Sequence, residues 1–339
     1  MESNRAARRT ADITVLLPVH NGANYLREAI DSVLAQSYDS FVLEVLDDGS
    51  TDDTAKIVES FVDSRVRYSR NPQRLGLFGT LNRGFAEAKT EFVRLWAHDD
   101  RMLRDNLLKL GQFAREHPEA GMVYCDFYGI DETGQRTGEE RQFAAQRVHT
   151  PDIATQPLSA LLFFCFGCLP GNISTVMLRR SAWESAGGFR TGWQQSPDYD
   201  MWVRISNNHP VGFVREKLME LRCHEGQLGR TGQKVLSTID EEFEVYKALS
   251  KCLAGMVSDR ELRVFWRWQR GRQHAHWTFR ALARGDLGTA AKGWRAMARY
   301  GDPVGQVLTW LVSLNGRWCP VPATGFFDKV ARRVSLQSH

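Results

Sequence analysis

The residues that could do chemistry come first as two pairs of adjacent carboxylates. Asp47-Asp48 sits in "LEVLDDGSTDDT" and Asp99-Asp100 in "EFVRLWAHDDRM", and each pair follows a run of strand character. Adjacent like charges repel, and a strand does not need them in order to stop. A solvated turn accounts for either pair alone. Two such pairs ending strands of one parallel sheet would gather at the edge where open α/β sheets bind ligands. There, one or two carboxylates together with substrate phosphates can hold Mg2+ or Mn2+. A cation also explains how two neighbouring carboxylates stay ionised. Further along lie Asp198 and Asp200 in "SPDYDMW" and His224 in "LRCHEG".

The elements that must position these groups alternate. "ITVLLPV" reads as a strand buried on both faces, and "NYLREAIDSVLAQ" places Leu26, Ile30, Val33 and Leu34 on one helical face. "FVLEVL", "RVRYS", "EFVRLW" and "GMVYCDFY" are the next strands. Between them fall a helix opened by Ser50 as N-cap, a helix around Leu81–Ala88 after the loop "NPQRLGLFG", and the helix "DNLLKLGQFAREH". Repeated βα units predict a doubly wound, mostly parallel sheet flanked by helices. From about Arg136 to Ser159 the pattern gives way to a polar stretch, expected to be a flexible loop over the site. A second block runs from Leu161 to about His224, and helices follow beyond Asp240. Leu287, Ala291, Trp294 and Ala298 share a face that predicts a helical hairpin with the preceding segment, and "PVGQVLTWLVSL" predicts a short amphipathic helix.

Composition narrows the classes. Hydrophobic residues at 42% and charged residues at 25% suit a globular chain. The N-terminal stretch lacks the apolar core of a secretory signal, and six cysteines without framework spacing suggest reduced thiols and a cytoplasmic setting. "GLFGTLNRG" is not a G-x-G-x-x-G dinucleotide fingerprint, and no phosphate-binding Walker sequence is present. Cys165 and Cys168 form a lone C-x-x-C within an apolar run and are expected to pack in the core, whereas His274 and His276 are expected on a solvated face. The net charge of +4 conceals an asymmetry: residues 251–339 carry 15 Lys/Arg against 5 Asp/Glu and six of the ten tryptophans, leaving 29 against 35 for the rest.

Over about residues 12–225 the chain resembles the family 2 glycosyltransferases of the GT-A fold. The likeness rests on "VLLPVHNGANYLREAIDSVLAQSY", "LEVLDDGSTDDT", "NPQRLGLFGTLNRGF", "AHDDRM", "GNISTVMLRRSAWESAGGF", "SPDYDMWVRI" and "LRCH", in that order. The resemblance implies transfer of a sugar, with inversion, from a nucleotide-diphosphate sugar to a hydroxyl of a glycan or lipid-linked acceptor. It implies that Pro18, Val19 and Asn21 line the nucleotide pocket and that Asp48 accepts a hydrogen bond from the base. Uracil, thymine and guanine carry such an N–H and cytosine does not, so a CMP-sugar is disfavoured; a UDP- or dTDP-sugar is the expected donor. Asn71, Arg74 and Arg83 would contact the nucleotide or diphosphate. Asp100 would be the main ligand of Mn2+ or Mg2+, Asp99 would contact the ribose or the metal, and His224 would reach the metal or the diphosphate. His98 is expected to be structural or sugar-facing. Asp198 would be the catalytic base, and Gly171 and Asn172 would shape the acceptor side, while Asp200 is expected to orient a helix start or to hydrogen-bond the backbone. The sequence departs from the family pattern at Ala97, where a carboxylate often stands, and at Pro197, where Glu-Asp is the more usual pair.

The implied organisation is a disordered tail at 1–11, a catalytic domain at 12–230 with a nucleotide half at about 12–130 and an acceptor half at about 160–230, and a basic, Trp-rich helical region at 231–339. That last region is expected to pack its tryptophans on the catalytic domain with its arginines in water, or else to make peripheral contact with the inner face of a membrane. A catalytically silent nucleotide-sugar-binding protein is the second reading. A nucleic-acid-binding protein is the third, and no nucleic acid is expected, because the positive charge comes without a recognisable binding motif.

Overall fold

The computed structural model describes residues 11–137, 151–193, 196–224, 239–314 and 323–337. The expected tail and most of the loop expected between Arg136 and Ser159 lie outside them. The first units follow the expected alternation: β1 (Ile13–Val19), α1 (Leu26–Leu34), β2 (Phe41–Asp47), α2 (Thr54–Glu59), β3 (Val66–Arg70), α3 (Gly76–Glu87) and β4 (Phe92–Leu95). There follow β5 (Arg101–Met102), α4 (Asn106–Glu116) and β6 (Met122–Ile130). The next elements are β7 (Ile153–Ala154), α5 (Leu158–Phe166), a 3-10 turn at Ile173–Thr175, β8 (Val176–Arg179), α6 (Arg180–Ala186), α7 (Pro197–Asn208) and β9 (Val211–Arg222). β7 corrects part of the loop expectation, since Ile153 and Ala154 pair antiparallel with Gly212 and Val211.

The strands form one sheet in the order β3-β2-β1-β4-β8-β6-β9-β5, with β7 also on β9. β1 is parallel to β2 and β4, β2 to β3, and β6 to β9. β8 runs antiparallel between β4 and β6. The start of β8 therefore lies beside the carboxyl end of β4, so the 3-10 turn before β8 arrives at the carboxylate edge. Successive β1 residues point to opposite faces. Leu16 joins a core with Leu81 and Phe85 of α3, Phe163 of α5 and Trp202 of α7. Val15 and Leu17 join the opposite core with Ile30 of α1, Val58 of α2 and Leu110 of α4. The sheet is thus covered on both sides, as its continuous apolar runs require.

Two starts differ from the sequence reading. α3 begins at Gly76 rather than near Leu81, because the distant Asp48 carboxylate accepts the N–H groups of Leu75 and Gly76 at 2.7 and 2.8 Å. A capping group 27 residues upstream leaves no local signal. Ser50 does not cap α2; its hydroxyl accepts the Asn21 N–H at 3.0 Å, and Asp52 takes the Thr54 N–H.

Beyond the sheet come α8 (Ile239–Cys252), α9 (Asp259–Trp266), a π-turn at Arg267–Gly271, α10 (Arg272–Ala283), α11 (Leu287–Arg299), α12 (Pro303–Leu314) and α13 (Ala323–Gln337). Phenylalanines, rather than tryptophans, join them to the rest. Phe164 of α5 contacts Phe265 and Phe326 at 5.4 and 6.4 Å, and Phe166 contacts Phe327 at 5.5 Å. The tryptophans pack mainly among the helices themselves, with Trp266 stacked on Tyr300 at 3.7 Å. His274 corrects the expectation of a solvated face: it is 1% exposed, with Nε2 3.4 Å from Glu242. The hairpin of α10 and α11 forms, but its contact face is Ala290, Gly293, Ala296 and Met297, not the Leu287 stripe. Gly293 allows this approach, since a Cβ there would lie 2.0 Å from Thr278 Oγ1. Among the described residues no helix is long and apolar enough to cross a membrane.

α3 meets the sheet equally closely at Gly84, where a Cβ would lie 2.6 Å from Leu46 Cδ1 and 3.0 Å from Leu16 Cδ2. Gly84→Val should cost about 1–3 kcal/mol by overpacking this seam. Thermal unfolding that matches the wild type would contradict the seam.

Candidate active site

Four separate segments build the carboxylate edge: the end of β4, the turn before β8, the end of β9 and the start of α1. Asp99 and Asp100 are both buried. Asp100 Oδ1 accepts the Arg222 N–H at 2.9 Å, and its Oδ2 is buried without a hydrogen-bond partner. Burial, followed by the charge of Asp99, pushes the Asp100 carboxyl up to about 8. Asp99 Oδ2 lies 3.0 Å from His224 Nε2. Arg222, 1% exposed, donates from Nε to the Asp99 carbonyl at 2.8 Å and from Nη1 to the carbonyls of Asp131 and Glu132 at 3.1 Å each. Its Nη2 pairs with Glu28 of α1, and its guanidinium lies 4.6 Å from the Tyr25 ring centroid. Tyr25 in turn contacts the His224 ring at 5.2 Å.

Behind the pair sits a second buried arginine. Arg94 donates to Asn106 Oδ1 at 3.0 Å, to the carbonyls of Leu95 and Val176 at 2.8 Å each, and to the Ser174 carbonyl. Burial lowers its guanidinium to about 10. Asn172 accepts the Ser174 N–H at 2.8 Å, and the Ser174 hydroxyl accepts the Ala97 N–H at 3.0 Å. Asn172, next to the positive-φ Gly171, therefore connects the loop before β8 to the turn that carries the carboxylates. His98 packs beside Gly22, and burial pushes its imidazole down.

At β2, the two carboxylates have different surroundings. Asp47 is fully buried and closes its turn through Ser50 N–H and Tyr68 O–H at 2.7 and 2.6 Å. Besides the α3 amides, Asp48 accepts from Asn71 Nδ2 at 2.7 Å. Burial works to raise the Asp48 carboxyl, but the hydrogen bonds from Leu75, Asn71 and Gly76 outweigh it and hold the group below the ordinary range. Asp48 thus remains an ionised acceptor at the end of β2. Pro18 and Val19 end β1, with the Val19 side chain in the core, while Asn21 is exposed and accepts the Thr51 N–H at 2.8 Å. Arg74 is exposed with Nε 4.0 Å from Asp48, whereas Arg83 is committed to Ser69 and Glu87. The structure thus brings Arg74 to the β2 carboxylate and ties Arg83 to β3 and its own helix.

Asp198 lies in the first turn of α7, where Pro197 suits the helix start. It is partly exposed, and Oδ1 accepts the Tyr199 N–H at 2.8 Å. Burial outweighs that bond and pushes the carboxyl up to about 6. Tyr199 is anchored through its hydroxyl to the Phe163 carbonyl at 2.7 Å. Asp200 binds side chains rather than orienting the helix start, with Arg204 at 2.7 Å and Arg190 at 3.4 Å.

Among the described residues there is no cluster of three or more His, Cys, Asp or Glu side chains arranged to hold a metal ion. A divalent cation nevertheless fits the edge. The orphaned Asp100 Oδ2 is a buried oxygen that a cation would keep ionised, Asp99 and His224 stand beside it, and Mg2+ and Mn2+ sites commonly draw their remaining ligands from substrate phosphates and water.

The architecture is a mixed, mostly parallel α/β sheet covered by helices on both faces, with carboxylates at the ends of its strands. Residues 14–179 match the model for glycosyl transferase family 2, and the chain belongs to that family. An uncharacterized glycosyltransferase of Rickettsia typhi is 28% identical over 236 residues, covering 68% of this chain and 69% of the relative. S. aureus TarS 1-349, solved in complex with UDP-GlcNAc, has the same fold with a TM-score of 0.62 at 16% identity, over 91% of this chain and 93% of that one. A mannosyltransferase from Pyrobaculum calidifontis, solved with GDP-Man and Mn2+, aligns with a TM-score of 0.53 at 16% identity, over 97% and 87%. The expected GT-A class is the one observed.

Arg222, Ser174, Arg94, Glu28 and Tyr25 were not among the expected site residues. A signal existed for two of them, since Arg94 interrupts the buried run "EFVRLW" and Arg222 ends the long strand before His224. Arg222→Met keeps the stem but removes every guanidinium bond. It should cost about 3–5 kcal/mol in chemical denaturation, as expected when one partner of a buried charged network is deleted. A loss below about 1 kcal/mol would show that the network contributes little.

Proposed function

We propose that the chain is an inverting, divalent-metal-dependent glycosyltransferase that takes a UDP- or dTDP-sugar as donor and a hydroxyl of a glycan or lipid-linked molecule as acceptor, in the synthesis of a cell-surface polysaccharide. The observation that carries this reading is the division of labour among carboxylates. Asp48 is held ionised by backbone amides, Asp100 keeps a buried oxygen unpartnered, and Asp198, in the first turn of α7, is pushed towards neutrality by burial. Groups with environments this different suit different tasks.

In this reading Asp48 accepts the imide N–H of the base, and Asn71, which donates to both Asp48 and Thr80, holds that carboxylate in place. Pro18, Val19 and Asn21 border the nucleotide from β1, and Arg74 lies across the diphosphate. Asp100, with Asp99 and His224, would hold Mn2+ or Mg2+, which when bound neutralises the charge gathering on the departing diphosphate. Arg222 fixes the spacing of Asp99 and Asp100 through its backbone N–H and its guanidinium. Asp198 removes the proton from the acceptor hydroxyl as that oxygen bonds to the anomeric carbon, and the bond from that carbon to the nucleoside diphosphate breaks. One displacement inverts the anomeric centre. Gly171 and Asn172 border the acceptor.

The base must be ionised to work, so turnover should fall as the pH drops through about 6, where Asp198 takes up its proton. Asp198→Asn should bind donor as the wild type does while losing turnover by a factor of about 100 or more. Calorimetry with UDP, dTDP, GDP and CMP, with and without Mn2+, tests the donor half. Metal-dependent binding of UDP or dTDP that disappears in Asp100→Ala is the expected result. Metal-independent binding, or equal binding of CMP, would contradict the assignment.

A further inference from the structure

α12 is inverted relative to the usual amphipathic helix. It buries Gly305, Gln306 and Thr309, and it exposes Val304, Leu308, Leu311 and Val312, each between 48% and 68%. These four recur at i, i+4, i+7 and i+8, which is one face of the helix. Gln306 Nε2 donates to the Met297 carbonyl at 3.0 Å and Thr309 Oγ1 to the Gly305 carbonyl at 2.7 Å, while Gln306 Oε1 is buried without a hydrogen-bond partner. α11 repeats the arrangement. Small residues face α10, while Leu287, Ala291, Trp294 and Ala298 are all exposed, Leu287 at 71%. The two helices share a neighbour on α10, since Phe279 stacks on the partly exposed Trp310 of α12, outside the α12 stripe, at 4.6 Å and meets Trp294 of the α11 stripe edge-on at 5.9 Å. Exposed apolar faces on two neighbouring helices, each repeating at helical spacing, mark an interaction surface.

Charge selects the occupant. On α11 the exposed Arg295 lies beside the apolar stripe, with Lys292 further round the same outer surface, and Arg280 and Arg284 are exposed at the end of α10. The segment carries 15 Lys/Arg against 5 Asp/Glu over residues 251–339. Two copies apposed through this face would bring like charge together, whereas an anionic lipid surface offers both apolar depth and negative charge. We propose that the outer faces of α11 and α12 form an interfacial docking surface for an anionic bilayer, in which both helices lie in the headgroup plane and do not cross. This inference does not depend on the transfer reading.

Cosedimentation of the full-length protein with phosphatidylcholine vesicles, with and without phosphatidylglycerol, tests it. The wild type should sediment with the phosphatidylglycerol vesicles, less at high salt and less with phosphatidylcholine alone. Leu308→Glu/Leu311→Glu should lower partitioning by about tenfold or more, and Lys292→Glu/Arg295→Glu should lower it and flatten its salt dependence. All four side chains are exposed and outside the donor site, so thermal unfolding and UDP binding should stay at wild-type values. Failure of the wild type to bind, or binding untouched by Leu308→Glu/Leu311→Glu, overturns the proposal. So does a dimer in sedimentation equilibrium that this variant dissociates while no vesicle is bound, since the occupant would then be a second copy. None of these outcomes bears on donor binding.

Discussion

Holding Asp99 and Asp100 side by side beneath the surface is the constraint on which the rest of the molecule depends. Two ionised carboxylates in such surroundings cost several kcal/mol unless their oxygens are met by donors or a cation. The donors come from far away in sequence. The Arg222 N–H reaches Asp100 from 122 residues downstream, and His224 reaches Asp99 from 125. β9 must therefore run its full length beside β6 to deliver Arg222 to the edge, and the guanidinium then fastens Asp131 and Glu132 at the end of β6 to Glu28 on α1. Arg94 performs the complementary task from inside. It fills the space between β4 and β8 with bonds to carbonyls, so the turn bearing Ser174 is held against the turn bearing Ala97. One Asp100 oxygen is left over, and that is where the protein alone does not complete the balance.

At β2 the same problem is solved differently. Asp48 is satisfied by the first amides of α3, so the charge that would meet a nucleotide base also starts a helix. Local structure and site are then one interaction: losing the carboxylate would free the N-terminus of α3 and alter the pocket together. Asp198 is the contrasting case. It accepts from backbone N–H groups of its own turn, that of Tyr199 at 2.8 Å among them, and burial outweighs these bonds and raises its proton affinity. A strongly held carboxylate suits binding, and a weakly held one suits moving a proton.

The alternation of strands and helices was legible because both-face burial writes continuous apolar runs and the helices write a period of 3.6. The carboxylates were legible because they end those runs. Long-range satisfaction was not legible. Nothing near Gly76 announces that Asp48 caps its helix, and Ser50 had the type and spacing of an N-cap but was taken by Asn21. His274 looked solvated on a basic helix, yet Glu242 on another helix drew it inside. The Leu287 stripe failed for a related reason. Periodicity identifies an apolar face but not what covers it, and the small residues Ala290, Gly293 and Ala296 made a closer contact with α10 than the larger stripe could.

α5 joins the cleft to the outer helices. Its Phe163 carbonyl holds the hydroxyl of Tyr199, the residue after Asp198, while Phe164 and Phe166 hold Phe265, Phe326 and Phe327. The aromatic contacts on both sides of this one helix are part of a single core. Protein interiors of this kind are close-packed and transmit displacement poorly tolerated by their neighbours. The outer helices are therefore placed relative to Asp198 by packing rather than by a flexible connection. A surface carried on them would hold the mouth of the cleft at a set distance from whatever it rests on, which matters most for an acceptor that is itself confined to a surface.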